Sequence, residues 1–523
     1  MDQFIKKHQA MIRGRLTGFD RVRFRGTIRM LAAVSGLVAW LKDQGTPIRE
    51  FGRFAEEMTG QVKTSVEAMA AAGGRTIKYL ASSALSKEDL VRELMLREGI
   101  TDGLVCVLSC VEPCRSYELR RDRQTKTIDL VRAYRKCLHW YFYFIDSTWG
   151  LCHIRIQSWL PFTVHVCVNG REWLCRELDA AGIGFQRRDN CLLDVDDFAR
   201  AQQLLDAQPR APWTRLLDAL LRQACPVLRQ LRFRGARLRY YWSAEETEWA
   251  SDTLFRSTEE LATLYPALLR HGMTTFSSLD VLRFLGRERR PHADRVHGCF
   301  QGVVKTKLLT GAEGVRIKHW ANGNSIKMYN KEGSVLRVET TINNARQMKV
   351  YRASERDPRG KKSWRILRKG VADLPRRAQI SQGANQRYLR ALAGVDVPTP
   401  LGRLVDAVSS PVEADGRRAR GLNPLTGADA RLAEILLRGE FAISGLRNRD
   451  VRTLLFPEAQ TDVERRRASG KVTRLLGLFR AHGLIRKISG THRYQLTADG
   501  TRTLPAFLAA RNTSVQKLNE LAA

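Results

Sequence analysis

Alternating apolar and polar residues predict several strands in the first half of the chain. Between residues 104 and 200, the runs VCVLSCV, HWYFYFI, LCHIRIQSW and FTVHVCVN are rich in β-branched and aromatic residues. Turn formers such as Asp146-Ser147 and Asn169-Gly170 separate these runs. Nearer the start, GFDRVRFRGTIRM alternates Phe and Val with Asp and Arg, which predicts a strand with a basic face.

Helical periodicity is predicted on both sides of these strands. One helix is expected to begin near Ser86, with an acidic first turn, and to end at Gly99. The predicted fold class is therefore α+β, with a mixed or antiparallel sheet as its core. The predicted regions are a mainly helical segment at 1–100, an α+β core at 101–350 with a helical insertion at about 205–295, and a basic helical segment at 351–395.

A change of composition predicts a separate C-terminal domain. Residues 396–427 are rich in Pro, Gly, Ser and Ala, which is typical of a linker. Residues 428–500 show the pattern of two short helices, a long helix and a hairpin, and 501–523 are predicted to be a tail. Thr461 and Glu464 form a capping-box pattern at the start of the long helix.

This order of elements resembles that of bacterial winged-helix domains, such as those of MarR-type regulators. In that family the third helix enters the major groove and the wing contacts the DNA backbone. The resemblance implies that nine residues lie near duplex DNA: Arg465, Arg466, Arg467, Ser469, Lys471 and Arg474 on the helix, with Arg486, Lys487 and Arg493 on the wing. The alternative is a winged helix that contacts protein, which the absence of acids from 465–493 disfavours.

The net charge of +34 is concentrated in two stretches of the chain. Residues 346–390 carry 14 Lys/Arg against three acids, and residues 465–493 carry nine against none. Such clusters predict a polyanionic partner, most commonly nucleic acid. The alternative is a set of solvated arginines in a chain from a high-GC genome, but scattered arginines would not leave a long segment free of acids.

The apolar segments and the cysteines indicate the cellular location of the protein. No apolar run reaches about 18 residues and the N-terminus lacks a signal-peptide core, so we expect no membrane partner and a bacterial cytoplasmic, nucleoid-associated location. Most of the ten cysteines lie in apolar runs and are predicted to be core residues. Cys106, Cys110 and Cys114 are four apart on a predicted strand; a zinc site would need CxxC pairs or nearby histidines, so core packing is favoured.

The segment 319–344 predicts a hairpin whose two faces differ in chemistry. A three-residue loop at 331–333 would pair Met328 with Leu336. This register places four apolar residues on one face and four polar residues on the other. The apolar face would hold Ile326, Met328, Leu336 and Val338, and the polar face Lys327, Tyr329, Arg337 and Glu339.

The polar face of this hairpin suits phosphodiester transfer. Tyr329 is a candidate nucleophile, and Lys327 and Arg337 would favour its phenolate and stabilise charge on phosphorus. Glu339 is a candidate ligand for Mg²⁺ or Mn²⁺. Tyr-x-Lys followed by Leu-Arg-x-Glu also resembles a pattern in rolling-circle replication initiators and related nicking proteins of phages and plasmids. That resemblance implies that Tyr329 attacks DNA and that Glu339 binds the metal.

The sequence does not identify the remaining metal ligands, because the chain has no His-hydrophobic-His pair. The nearest candidates, His153 and His165, each offer a single histidine in a strand-like run, and His165 is a candidate metal ligand. Three carboxylates in similar contexts could complete a metal site: Asp20, Glu112 and Asp146. Glu112 could instead be a buried ion-pair partner of the strand arginines, and Tyr329 could be an ordinary strand tyrosine on a nucleic-acid-binding face.

Two functions fit these observations. The first is a DNA-binding enzyme of a mobile element or replication system, a nicking or strand-transfer endonuclease of the replication-initiator or transposase type. The alternative is a non-enzymatic winged-helix transcription regulator with a large sensor or oligomerisation region. The core could also bind single-stranded DNA or RNA, since HWYFYF could stack bases. The sequence does not decide whether the protein forms a homo-oligomer.

Overall fold

The computed structural model describes residues 3–124, 126–286, 304–311, 314–354, 357–395, 401–414, 416–441 and 445–517. Its helices are α1 (Gln3–Lys7), α2 (Val34–Asp43), α3 (Phe51–Ala72), α4 (Lys87–Glu98), α5 (Gly170–Ala180), α6 (Phe198–Ala207), α7 (Trp213–Ala224), α8 (Thr258–Thr274), α9 (Ser278–Phe284), α10 (Leu374–Leu392), α11 (Leu401–Ser409), α12 (Gly427–Leu436), α13 (Asn448–Leu455), α14 (Asp462–Ala481) and α15 (Ala498–Asn512). Within these ranges, no helix has the length and apolar character needed to cross a bilayer.

The strands are β1 (Ile12–Thr27), β2 (Ile77–Leu80), β3 (Gly103–Arg121), β4 (Ile128–Asp146), β5 (Gly150–Gln157), β6 (Val164–Asn169), β7 (Phe185–Arg188), β8 (Cys191–Val195), β9 (Arg232–Phe233), β10 (Ala236–Arg237), β11 (Tyr241–Phe255), β12 (Val304–Gly311), β13 (Gly314–Ala321), β14 (Asn324–Lys331), β15 (Val335–Ile342), β16 (Lys349–Arg352), β17 (Ser363–Ile366), β18 (Val412–Ala414), β19 (Arg417–Ala419), β20 (Leu446–Arg447), β21 (Ile485–Lys487) and β22 (Arg493–Leu496).

A large mixed sheet organises the chain up to β15. In the described part of the chain it has eleven strands, in the order β12-β13-β14-β15-β11-β1-β6-β5-β4-β3-β2. Neighbouring strands are antiparallel except for β2 and β3, which are parallel. The α+β class and the mixed sheet predicted from the sequence are therefore confirmed.

The two faces of this sheet have different roles. One face carries apolar residues that pack under helices: Val22 and Phe24 share a core with Trp40, and Met328 shares another with Leu389. Burying this face supplies the main stabilisation of the fold. The other face, here called the open face, carries mostly polar residues, and α4 and the β7–β8 hairpin cover parts of it.

Two strands lie in regions predicted to be mainly helical. The first, β1, confirms the strand predicted from GFDRVRFRGTIRM within the region 1–100, and it is a central strand of the sheet, joined to β11 and β6. β11 crosses the predicted helical insertion at 205–295, so that prediction is wrong for residues 241–255. The sequence of β11, YWSAEETEWASDTLF, contains few β-branched residues, and its glutamates lie on the open face. Pairing with β15 stabilises this strand despite its low strand propensity. Residues 287–303 lie outside the described residues.

The β14–β15 hairpin has the predicted faces but a different register. Met328 pairs with Val338 and Lys331 with Val335, so the loop is 332–334 and not 331–333. Both Glu332 (φ 54°) and Gly333 (φ 82°) adopt left-handed backbone conformations in this loop. A shift of two residues preserves side-chain parity, so Ile326, Met328, Leu336 and Val338 are all buried on the helix side.

The basic segment 351–395 is only partly helical. It begins with the two-stranded sheet β16–β17, and α10 follows from Leu374. Lys349 pairs with Ile366 and Tyr351 with Trp364. The prediction of a continuous basic helix is therefore wrong for its first half.

The C-terminal unit contains the predicted helix, helix, long helix and hairpin, with β20-β22-β21 as a three-stranded sheet. Thr461 and Glu464 form the predicted capping box at the start of α14. The linker prediction is wrong for most of 401–422: α11 and β18–β19 lie there, and Val408 and Leu422 join the core of the C-terminal unit. Helix α15 in the predicted tail joins that core through Leu504 and Phe507. Residues 396–400 of the predicted linker lie outside the described residues.

Candidate functional site

The polar face of the β14–β15 hairpin is buried, which the sequence did not indicate. The hydroxyl of Tyr329 donates a hydrogen bond of 3.1 Å to Oε2 of Glu339. The ammonium of Lys327 lies 2.8 Å from Oε1 of the same carboxylate and 5.2 Å from the centroid of the Tyr329 ring. Arg337 and Glu339 are fully buried, and Tyr329 is 5% exposed. Lys327, Tyr329 and Glu339 therefore form one contact network, and Arg337 lies opposite Tyr329 in the strand pairing.

Two further carboxylates join Glu339 on the open face. Oxygens of Asp20, Glu248 and Glu339 all lie within 4.8 Å of one another. They come from β1, β11 and β15, which are adjacent in the sheet. We call these three residues the carboxylate cluster. Oxygen ligands at such separations can share one divalent cation.

A β-bulge brings Asp20 into this cluster. The pairing of β1 with β11 shifts between Phe19 and Arg21, which leaves Asp20 as the extra residue. In a regular strand Asp20 would share the helix side with Val22, because alternate residues face the same way. The bulge turns its side chain to the open face, where it contacts Arg337.

Each carboxylate of the cluster also has a cationic partner. Lys327 pairs with Glu339 at 2.8 Å, Arg337 with Asp20 at 3.0 Å, and Arg21 with Glu248 at 3.0 Å. The three acids of the cluster and these three cations therefore form an ion-pair network in which acids and cations alternate. Such partners hold three neighbouring acids together even without a metal ion.

The pKa values of the acids reflect their different surroundings. Burial, together with the charges of Glu248 and Asp20, raises the pKa of Glu339 to about 7, although Lys327 opposes this shift. Burial also acts to raise the pKa of Asp20, but the nearby Arg337 and Arg171 outweigh it and lower that pKa. Near neutral pH, Glu339 can therefore exchange a proton.

Arg337 holds the cluster in place. Its guanidinium donates hydrogen bonds of 2.6 and 2.9 Å to the two carboxylate oxygens of Asp252, in addition to its contact with Asp20. It also donates to the side-chain oxygen of Asn190, between β7 and β8, at 3.3 Å. With its donors occupied by these partners and no surface exposed, Arg337 has a positioning role, not the predicted direct catalytic one.

The other predicted metal ligands do not join the cluster. Glu112 accepts hydrogen bonds from Tyr141 (2.6 Å) and Arg155 (2.8 Å) and pairs with Lys87 (3.2 Å). It is therefore an ion-pair partner of a strand arginine, the alternative that the sequence allowed, although it is half-buried and not fully buried. Its strand β3 lies five positions from β11 in the sheet.

Asp146 and His165 also have structural partners. Asp146 ends β4 and accepts hydrogen bonds from the backbone N–H groups of Thr148 (2.8 Å) and Trp149 (3.0 Å), as in a turn. His165 lies 3.2 Å from Glu245 through Nε2, and its Nδ1 lies 3.2 Å from Arg155. The prediction that Glu112, Asp146 and His165 are metal ligands together with Glu339 is therefore wrong. Glu248 was missed because its strand has helical composition.

A polar cavity of about 730 Å³ opens on the same face, beside the cluster. Arg21 connects the two, because it lines the cavity and pairs with Glu248. The cations that line the cavity outnumber the acids: Arg21, Arg23, Arg25, Arg115, Arg155 and Lys369 against Glu88, Glu112, Glu245 and Glu246. We call this cavity the basic groove.

A second group of metal-ligating atoms fits zinc poorly. Atoms of Cys114, Cys137 and His139 lie within 4.8 Å of one another, and burial lowers the pKa of His139 to about 4. The two sulfurs, however, are 2.7 Å apart. Two thiolates on one tetrahedral zinc would be about 3.8 Å apart, given Zn–S bonds of about 2.3 Å. Cys106, Cys110 and Cys114 are all buried, as predicted for core residues.

The residues predicted to contact DNA lie mainly on the surface of the C-terminal unit. All five cations of α14 that were predicted to contact DNA are exposed: Arg465, Arg466, Arg467, Lys471 and Arg474. Ser469 is half-buried and accepts a hydrogen bond of 3.1 Å from Arg452, so it supports the packing of α13 on α14.

The hairpin of the same unit presents fewer accessible cations than predicted. Arg486 and Lys487 on β21 are exposed. Arg493 on β22 is half-buried and donates a hydrogen bond of 3.3 Å to the carbonyl of Gly445. Arg493 therefore helps to join β22 to the turn before β20.

Comparison with protein-family models, with curated proteins and with solved structures finds no match for this chain. Its function must therefore be argued from its own residues.

Proposed function

We propose that this chain is a DNA-binding protein of a mobile element or replication system that nicks one DNA strand with Tyr329 as the nucleophile. The observation that carries the proposal is the contact of the Tyr329 hydroxyl with Glu339, inside a cluster of three carboxylates. A tyrosine, an ammonium and several carboxylates on one face are the groups that phosphoryl transfer requires.

The carboxylate cluster suits Mg²⁺ or Mn²⁺. Hard divalent cations prefer oxygen ligands, and Asp20, Glu248 and Glu339 offer them at short mutual distances. The raised pKa of Glu339 supports this fit, because the charges of Glu248 and Asp20 contribute to it and a cation would offset them. Bound there, the metal would polarise the scissile phosphate.

Tyr329 and its neighbours would carry out the transfer itself. The phenolic proton would leave along the hydrogen bond to Glu339, and the phenolate oxygen would form a bond to phosphorus. The bond from phosphorus to the leaving oxygen would break, and that oxygen would take a proton from solvent to become the free hydroxyl of the cut strand. Lys327 is placed to stabilise the negative charge near the tyrosine ring.

Two basic surfaces would position the DNA. Arg21 lines the basic groove and pairs with Glu248 of the carboxylate cluster, so a strand bound in the groove would lie beside the contacts of Tyr329. The exposed cations of α14 would hold a duplex in the manner of a winged helix, whose third helix enters the major groove. Phosphate contacts of this kind fix register, while base contacts set sequence preference.

A supercoiled-plasmid assay tests this proposal. Wild-type protein with Mg²⁺ or Mn²⁺ should convert supercoiled DNA to the open-circular form, and EDTA should abolish this conversion. Asp20→Asn and Glu248→Gln should each reduce the rate by more than about tenfold if these residues hold the metal. If every metal leaves the plasmid supercoiled while DNA binding persists, the cleavage proposal is wrong.

A second candidate function is a DNA-binding regulator without catalysis. Two observations favour it: each acid of the cluster already has a cationic partner, and Tyr329 is largely shielded from solvent. In that case the cluster serves only to hold β1, β11 and β15 together. The same plasmid assay separates the two candidates, since a regulator would bind the plasmid and leave it intact.

A further inference from the structure

The β16–β17 hairpin exposes large aromatic side chains, which folded proteins normally bury. Tyr351 is 59% exposed and Trp364 is 69% exposed. They are directly paired across the two strands, with ring centroids 5.5 Å apart. We call β16–β17 the aromatic hairpin.

The exposure follows from the orientation of the strands. Val350 and Arg352 point inward and are buried, while the alternate residues Lys349 and Tyr351 point outward. Exposed aromatic side chains grouped on one face are a feature of binding surfaces, because in water they lose the favourable free energy of burying their apolar area. The outer face of the hairpin is therefore built to meet a ligand.

The charges around this face indicate which ligand it meets. Six exposed cations lie between residues 349 and 369: Lys349, Arg359, Lys361, Lys362, Arg368 and Lys369. Among the described residues of that span, Asp357 is the one acid. Aromatic rings set among cations are the combination that binds single-stranded nucleic acid, where bases stack on rings and phosphates meet the cations.

The aromatic hairpin also continues toward the basic groove. Lys369, which follows β17, lines that groove together with Arg21 and Arg25. Its carbonyl accepts a hydrogen bond of 2.7 Å from the N–H of Ala244 in β11, which fixes this end of the hairpin segment to the sheet. A strand that leaves the groove past Lys369 would reach the hairpin.

We propose that Tyr351 and Trp364 form a stacking site for unpaired bases of a nucleic-acid strand that also occupies the basic groove. The site takes unpaired bases because a ring can stack on a base only where the base face is accessible. This inference rests on the nucleic-acid binding in the proposed function and adds a second, base-dependent contact. It does not depend on cleavage.

Fluorescence anisotropy with two oligomers tests the stacking site. One is a labelled oligothymidine, and the other is an abasic oligomer of equal length, which keeps the phosphates and lacks the bases. The double variant Tyr351→Ala/Trp364→Ala should bind oligothymidine about 5- to 150-fold more weakly than wild type. Its affinity for the abasic oligomer and its salt dependence should not change, because no cation has been removed.

Two variants control for folding and for ring chemistry. Tyr79→Ala removes an equally exposed tyrosine (58%) from the edge strand β2 and should leave oligothymidine affinity unchanged. Trp364→Phe keeps an aromatic face and should retain most of the affinity. Unchanged oligothymidine binding by the double variant would overturn the proposal and leave a protein partner as the ligand of this face. An equal loss on both oligomers would also overturn it.

The outcome is separable from that of the cleavage proposal. Tyr329→Phe should abolish nicking without altering the difference between oligothymidine and abasic binding. A wild-type protein that never nicks DNA but shows the base-dependent loss contradicts cleavage alone. A protein that nicks DNA and binds both oligomers equally contradicts the stacking site alone.

Discussion

Tyr329 and Glu339 lie on neighbouring strands of one hairpin, and the tyrosine hydroxyl donates a hydrogen bond of 3.1 Å to the glutamate. Glu339 also pairs with Lys327 and lies within 4.8 Å of the carboxylates of two other acids. Its protonation state therefore depends on these charged neighbours. This contact therefore links the ion-pair network of the sheet to the group that we propose as nucleophile.

The raised pKa of Glu339 predicts a pH-dependent stability difference. Its native pKa of about 7 lies above the ordinary value of 4.5, so the stabilising contribution of its protonated form is complete below about pH 4.5. That contribution is lost as pH rises through 7. Relative to Glu339→Gln, the wild type should therefore lose on the order of 1–3 kcal/mol between pH 5 and 8. Urea unfolding at both pH values measures this difference.

An exposed glutamate supplies the control. Glu57→Gln on α3 should behave like the wild type at both pH values, since Glu57 lies largely in solvent. Mn²⁺ at pH 8 should raise the unfolding midpoint of wild type more than that of Glu339→Gln, because a bound cation stabilises the folded state. A Glu339→Gln variant with the same pH profile as wild type would contradict the raised pKa.

Removing Arg337 should destabilise the sheet strongly. Arg337→Met would leave Asp20 and Asp252 as buried acids without their main partner, which costs about 3–5 kcal/mol. The matched control is Arg97→Met on α4, whose exposed pair with Glu98 is screened by solvent and should contribute little to stability. Chemical denaturation followed by tryptophan fluorescence measures both. Equal effects for the two variants would show that Arg337 does not hold the network.

The sequence predicted the hairpin faces well, since they depend only on parity. Any register that differs by two residues keeps Tyr329 and Glu339 on the same side, so the register error did not affect the site. Asp20 could be recognised as a candidate but not placed. Its bulge arises from the pairing of β1 with β11, a contact between residues more than 200 positions apart.

Glu248 could not be predicted from local sequence patterns for a similar reason. Its strand β11 is polar on one side, and it pairs with β1 and β15, which stabilises it despite low strand propensity. At the other end of the chain, the capping box of Thr461 was predictable because capping is a local interaction. The packing of α11 was not, because its composition is typical of a linker.

The cations of α14 should dominate duplex binding. Replacing Arg466, Arg467 and Lys471 together by Gln should reduce the slope of log affinity against log salt by about 0.9 for each phosphate that the helix no longer neutralises. Replacing Arg49, Arg53 and Lys63 near α3 by Gln removes the same charge from another surface and should have a smaller effect. Equal salt slopes in the two variants would exclude α14 as the duplex-binding surface.

The boundary that would separate the proposed duplex binding from the proposed catalysis lies before α11. A chain that ends at residue 395 should lose duplex affinity and keep any nicking of single-stranded DNA. A chain that ends at residue 427 should aggregate more readily, because Val408 and Leu422 would lose the core that covers them. Light scattering and nicking assays on both chains check this. Loss of nicking in a folded 1–395 chain would show that the two functions are not separable.

The most direct test of the account is a search for a covalent protein–DNA adduct. Wild-type protein incubated with single-stranded DNA and Mn²⁺ should form a species that survives denaturation, and peptide mass spectrometry should place the phosphodiester on Tyr329. Tyr329→Phe should fold, bind DNA with wild-type affinity and form no adduct. An adduct on another residue, an adduct formed by Tyr329→Phe, or DNA binding by the wild type with no adduct under any divalent metal would contradict the account.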